Sequence, residues 1–247
     1  VLAISFNRVV VDMKRMGGGF GGKETQAAGW ACLAAILADK TQKPVKLRLN
    51  RSDDMMMTGK RHPFESHYQV GFDNSGVIEG IDLLLNGNCG SSPDLSDAIV
   101  DRAMFHADNG YYLDNVSITG NRCKTNTASN TAFRGFGGPQ GMMIIESVMD
   151  DIALYLGLDS LQVRKANLYG IDERNITPYH QKVEDNNLAR MISRLEQNAQ
   201  YSQRRQDIEV FNANNPFLKK GIALTPVKFG ISFTAQHLNQ AGALINM

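Results

Sequence analysis

The chain has 247 residues, 43% of them hydrophobic and 21% charged, with a formal net charge of +1. That balance belongs to a globular protein with ample material for a core, and it lacks the charge excess with which proteins bind nucleic acid or anionic membranes. The longest apolar run, Ala31 to Ala38, falls far short of a membrane span, and Cys32, Cys89 and Cys123 are too widely spaced for a disulfide framework or a CxxC metal site, reading as reduced intracellular thiols.

In chain order, Ile4 to Met13 alternates and then runs β-branched through Val9, Val10 and Val11, which predicts a buried strand. It delivers a glycine loop, Gly17 to Gly22, after which the Ala- and Leu-rich stretch Lys23 to Lys40 predicts a helix. Pro44 restarts the chain as a strand over Val45 to Leu49. Strands at Glu65 to Phe72 and Val77 to Leu85 flank Asp73-Asn74-Ser75-Gly76, a hairpin signal. Apolar residues at Leu95, Ile99, Ala103 and Phe105 predict a helix over Asp94 to His106, followed by a strand at Val116 to Thr119 and a second glycine loop. Pro139 suits the first turn of a helix, whose apolar face is Met142, Ile145, Val148, Ile152 and Leu156.

Asp159 is placed to cap a helix over Leu161 to Leu168, and helices are predicted at Asn187 to Ala199 and Ser202 to Phe211. Strands return at Lys220 to Pro226 and Gly230 to Phe233. The irregular interleaving predicts an α+β fold of mixed sheets with packed helices. Periodicity lapses over 169–186, which reads as a linker between one unit at 1–168 and the start of another at 187–247. A start without initiator Met and a stop at Met247 inside an apolar run predict a chain incomplete at both ends, so no targeting segment is read from it.

The tetrapeptide Gly-Phe-Gly-Gly occurs twice, at Gly19 to Gly22 and at Gly135 to Gly138, each time before a predicted helix. Glycine reaches positive φ freely and lets backbone amides approach a bulky anion, and amides at a helix start can hold that anion. The first loop satisfies GxGxxG, but Asp39, the candidate ribose acid, sits in a helical tail rather than at a strand end. It also satisfies GxxxxGK, yet Glu24 stands where a magnesium-bound Ser or Thr is needed and would repel phosphates. His106 and His180 belong to no cluster with metal-ligand spacing.

Arg15-Met-Gly-Gly-Gly-Phe-Gly-Gly-Lys-Glu-Thr25 and Ser129-Asn-Thr-Ala-Phe-Arg-Gly-Phe-Gly-Gly-Pro-Gln-Gly-Met142 together resemble the molybdopterin-binding region of the xanthine dehydrogenase family of molybdenum hydroxylases. Thr58-Gly-Lys-Arg-His-Pro-Phe64, Arg102-Ala-Met-Phe-His106 and Lys228-Phe-Gly-Ile-Ser-Phe-Thr234 resemble the same family in the same order, so the resemblance covers essentially the whole chain.

It implies an oxidoreductase that binds Mo-molybdopterin and converts hypoxanthine to xanthine and xanthine to urate with oxygen from water. The backbone amides of Phe20 and Arg134 would reach the cofactor without ligating the metal, and Gly21 lies in the same cradle. Glu24 and Arg102 would bind the purine from opposite sides, Phe136 and Phe233 would pack on its face and edge, and Thr234 would supply a hydroxyl. Having both Glu24 and Arg102 favours a purine hydroxylase over an aldehyde oxidase, and a degenerate scaffold paralogue is the non-catalytic alternative.

The family's catalytic glutamate lies in a Gly-Glu-Pro motif absent from this sequence, so no catalytic residue is assigned in it and the chain alone is expected to be inactive. The 2Fe-2S clusters, FAD and the NAD or oxygen acceptor belong to other parts of the family's chains. A homodimer, contact with the rest of its own polypeptide, and a cytoplasmic or peroxisomal location are implied by the resemblance alone.

Overall fold

The computed structural model describes residues 2–12, 14–232, 240, 242–243 and 245. A three-stranded mixed sheet in the order β1-β2-β3 forms its centre, from β1 (Phe64–Phe72), β2 (Ile78–Gly90) and β3 (Val116–Lys124). β1 and β2 are the expected antiparallel hairpin, with Phe64 opposite Gly87 and Val70 opposite Ile81. Its turn closes through the Asp73 side chain, which accepts from the amides of Ser75 at 2.8 Å and Val77 at 3.0 Å. β3 runs parallel to β2, which demands a crossover, and the helix α3 (Ser96–Phe105) supplies it.

Leu83 and Leu85, fully buried on β2, belong to one core cluster with Ile145, Val148, Met149 and Ile152 of α4 (Gly138–Leu156). Of the expected stripe, Ile145, Val148 and Ile152 are in the cluster and Leu156 packs against it, while Ile144 and Met149 widen it and Met142 lies outside it. α5 (Ser160–Asn167), capped by Asp159 as expected, adds Leu161 and Val163 to that cluster. Its Asn167 side chain accepts from the Ile78 amide at 2.9 Å and donates to the Gly76 carbonyl at 2.7 Å, pinning the hairpin turn. Arg164, 2% exposed, is balanced by Glu146 at 2.7 Å and Asp150 at 2.9 Å, and Tyr111 donates to the same Glu146 at 2.7 Å. Buried charge survives only when paired and hydrogen-bonded in this way. α6 (Leu188–Asn198) and α7 (Tyr201–Asn214) join the cluster through Ile192 and Tyr201.

Several expectations fail, mostly among strands. Ile4 to Met13 forms no strand among the described residues: it holds a single 3-10 turn, Phe6–Arg8, and Val10 and Val11 are 89% and 84% exposed. Val45 to Leu49 and the described part of 220–233 are likewise without ladder partners. A strand exists only where a neighbour completes its hydrogen bonds, so a β-branched run without one stays unpaired. α1 (Gln26–Thr41) does form, yet buries none of its residues. The short helix α2 (Arg51–Met57), in a stretch for which no element was expected, is capped by Asn50, whose side chain accepts from the Asp53 amide at 2.9 Å.

Candidate functional site

The two glycine loops meet. The Arg134 amide donates to the Phe20 carbonyl at 2.9 Å, joining the first loop to the approach of the second. Gly21 makes that approach possible: at φ +101°, a Cβ on it would lie 2.5 Å from the Ala132 carbonyl oxygen and 2.7 Å from the Phe133 Cα. The segment Gly59 to Arg61 completes the joint. Thr131 donates its amide to the Lys60 carbonyl at 3.0 Å, and Arg61 donates to the Arg134 carbonyl at 2.6 Å while lying 4.5 Å from the Phe133 ring centroid. Gln26, opening α1, accepts from the Gly59 amide at 2.7 Å.

In both loops the phenylalanine itself adopts the left-handed conformation, Phe20 at φ +55° and Phe136 at φ +48°. A side chain there costs roughly 1–2 kcal/mol, and such strain gathers at ligand clamps. The loops otherwise differ. Among the described residues, no amide from Gly17 to Gly22 donates to a protein acceptor, whereas in the second loop Phe136 donates to Phe133 at 2.7 Å and Gly138 to Gly135 at 2.9 Å. A row of unspent amides on a glycine turn fits an anionic or polar cofactor group. The Arg134 amide does not fit in the same way, because the Phe20 carbonyl already takes it.

The second loop presses on α3. Cβ atoms added at Gly137 and Gly141 would each lie 2.0 Å from a carbonyl oxygen of α3, Ile99 and Ala103 respectively. That backbone contact sets the Phe136 ring beside Arg102, whose guanidinium carbon is 5.7 Å from its centroid and 5.4 Å from that of Phe229. Arg102 is only 4% exposed; its two Nη atoms donate to the carbonyls of Gly230 and Ser232, and its Nε has no partner among the described residues. Burial pulls its pKa below the usual value, but a guanidinium stays charged at neutral pH.

A cleft of about 590 Å³ opens beside this arginine, with Phe105, His106, Tyr179, Lys228 and Phe229 in its wall. Lys228, Phe229, Gly230 and Ser232 form one side of it, and the segment 226–232 is pinned to the end of α3 and the turn after it. Asn109 donates to the Pro226 carbonyl at 2.9 Å and accepts from the Lys228 amide at 3.0 Å. The Lys228 ammonium pairs with buried Asp108, which also accepts from the Tyr169 hydroxyl at 2.6 Å. His106 accepts from the Gly230 amide at 2.9 Å.

Of the sequence-predicted residues, the structure joins Phe20, Gly21 and Arg134 at one place and Arg102 with Phe136 at another. Glu24 lies exposed in the turn before α1, without hydrogen bond or ion pair among the described residues. Phe233 and Thr234 lie outside the described residues. Lys228, Phe229 and His106 stand in the resemblance motifs without an expected role, His106 being excluded only as a metal ligand, and Asp108 gave no signal in the sequence. The signal for His106 was its place one helical turn beyond Arg102 on a buried face.

Residues 1–168 match the molybdopterin cofactor-binding domain family. The chain belongs to that family. A xanthine dehydrogenase/oxidase of Gallus gallus is 48% identical over 246 residues, covering 100% of this chain and 18% of the relative. A nicotinate hydroxylase of Emericella nidulans is 44% identical over 243 residues, 98% of this chain and again 18% of the relative. This molybdopterin cofactor-binding chain thus spans about a fifth of the length of the curated relatives it matches. The aldehyde oxidoreductase of Desulfovibrio gigas superposes with a TM-score of 0.69 at 29% identity, over 82% of this chain and 21% of that structure. The fold is therefore the mixed sheet with packed helices of a molybdopterin cofactor-binding region, shared with that oxidoreductase. No group of three or more His, Cys, Asp or Glu side chains that could hold a metal occurs among the described residues, and no helix among them is long and apolar enough to cross a membrane.

Proposed function

We propose that this chain is the part of a molybdenum-dependent purine hydroxylase in which the cofactor cradle meets the substrate pocket, the whole enzyme converting hypoxanthine to xanthine and xanthine to urate. The observation that carries this reading is the joint between the loops. One loop offers unspent amides, the other brings an aromatic ring beside a buried arginine, and Arg134 to Phe20 connects them. The amides of Gly17 to Gly22 would hold the molybdenum cofactor, which when bound supplies the two-electron oxidation. Phe136 would lie against the purine face, a contact contributing about 1 kcal/mol and fixing the ring's orientation. Arg102 would stabilise negative charge developing on the purine oxygen, and Glu24, unpartnered here, would hydrogen-bond the ring from the other side. Phe233 and Thr234 keep the substrate roles that the family resemblance gives them.

The same reading assigns electron flow through 2Fe-2S clusters and FAD to NAD in other parts of the polypeptide, a homodimeric whole, a cytoplasmic or peroxisomal setting, and a catalytic glutamate outside this sequence. It divides the chain into 1–168, a linker at 169–186 and a second unit from 187, supported by a family match that ends at residue 168. Glu24→Val in the full-length enzyme tests the substrate role. Turnover of xanthine should fall by roughly a hundredfold, as for loss of a charged hydrogen bond made to substrate, while an aromatic aldehyde loses little. Equal losses for both, or improved nicotinate oxidation with xanthine unchanged, would remove the purine assignment.

A further inference from the structure

We propose that His106 is a positioning residue: its neutral imidazole staples the segment 228–232 to α3 and thereby sets the pose of the Arg102 guanidinium, so that protonating one ring releases both. The hydrogen bonds fix the tautomer. The Gly230 amide donates to Nε2 at 2.9 Å, so Nε2 carries the lone pair and Nδ1 the proton, which goes to the Arg102 carbonyl at 2.8 Å. An imidazolium has only donors and would set an N–H against the Gly230 N–H. The ring is 6% exposed and tilted against Phe229 at 4.9 Å, so water cannot replace the lost partner without moving the segment.

The same segment gives Arg102 the acceptors for both its Nη atoms, at Gly230 and Ser232. Histidine and arginine, one helical turn apart, thus hold one stretch of backbone between them. In sequence that stretch runs directly into Phe233 and Thr234.

The charges that act on His106 favour its neutral form. Arg102 on its own helix and Lys228 from the stapled segment are the cations facing it; Asp108 is held by Lys228 and Tyr169, Tyr179 accepts from the Lys228 ammonium, Lys182 and Glu184 also line the cleft, and Glu146 of α4 is committed to Tyr111, Asn109 and Arg164. Burial pushes the His106 pKa below its ordinary value of 6.5; the bond to the Arg102 carbonyl opposes this, and the two cations add to it. A pKa lowered on folding means stability that is complete above the unfolded value and drains away as the pH falls below it.

The consequence for catalysis rests on the reading that Arg102 faces the purine. In the full-length enzyme, hydrogen exchange of the peptide covering 226–232, corrected for intrinsic rates, is to be followed between about pH 5 and 8. Protection is expected to fall roughly tenfold as the pH drops below neutrality, with KM for xanthine rising over the same interval and kcat changing less. In His106→Gln, whose amide oxygen can accept from Gly230 but does not titrate, most of that fall should disappear, leaving only what the Lys228–Asp108 pair contributes. Protection that is level in the wild type, or that falls alike in both proteins, overturns the proposal; the wild-type series decides alone if the variant does not fold. A step in protection without one in KM upholds the staple and overturns the substrate role of Arg102 instead. Among the described residues the other buried histidine, His62, bonds to Ser96 at 2.7 Å and makes no hydrogen bond to 228–232.

Discussion

Gly21 shows how much of this site rests on a single missing Cβ. Its φ of +101° and its 2.5 Å approach to the Ala132 carbonyl exclude an L side chain on two counts, backbone strain and collision with backbone rather than with a mobile side chain. Gly21→Ala should separate the loops, breaking the Arg134 to Phe20 bond, at a cost on the order of 2 kcal/mol. The full-length variant should purify with well under half the molybdenum of the wild type, measured by elemental analysis. Full metal content with unchanged melting would mean that the joint does not hold the cofactor. The glycines and their loop were legible in the sequence because positive φ writes itself as glycine. Phe20 and Phe136 at positive φ were not, since no composition rule predicts a bulky residue in a strained conformation. Nor did the sequence show that the Arg134 amide is spent on a carbonyl far away in the chain.

At the scale of elements, what could be read was what local signals encode. The α4 stripe, the Asp159 cap and the Asp73 turn each depend on residues within a few positions, and each is where it was expected. The strand expected at Ile4 to Met13 depended on a neighbour that local sequence cannot supply. The α2 cap at Asn50, with Asp53 three residues on, is a local signal of the same kind. The contact between α3 and α4 is the element pair on which the site depends, because Gly137 and Gly141 let the helices touch along their backbones. Gly141→Ala is expected to wedge them apart by pushing on the Ala103 carbonyl, destabilising the protein by about 1–3 kcal/mol and moving Phe136 off Arg102. Thermal unfolding reads the first effect and KM for xanthine the second. An unchanged KM in a measurably destabilised variant would detach the α3–α4 contact from substrate binding.

Across the whole molecule, α1 is the element that lacks its setting. It is rich in Ala and Leu, yet Leu33 and Leu37 are 48% and 47% exposed and none of its residues is buried. Val10 and Val11 are exposed as well, and exposed apolar residues of this kind mark interfaces. The first loop, whose amides we assign to the cofactor, lies between these two exposed stretches. The 247-residue chain expressed alone should therefore self-associate and bind no molybdenum cofactor in stoichiometric amount. A monomer by light scattering with one molybdenum per chain would contradict this.

The two loops are expected to serve one ligand site. Anomalous scattering at the molybdenum edge, from crystals of the full-length enzyme soaked with a slow purine substrate, locates both partners at once. The metal should lie beside Phe20 and the Gly17 to Gly22 amides, with the purine ring stacked on Phe136 between Glu24 and Arg102. A molybdenum site remote from the first loop, or a purine making no contact with Phe136, would contradict it.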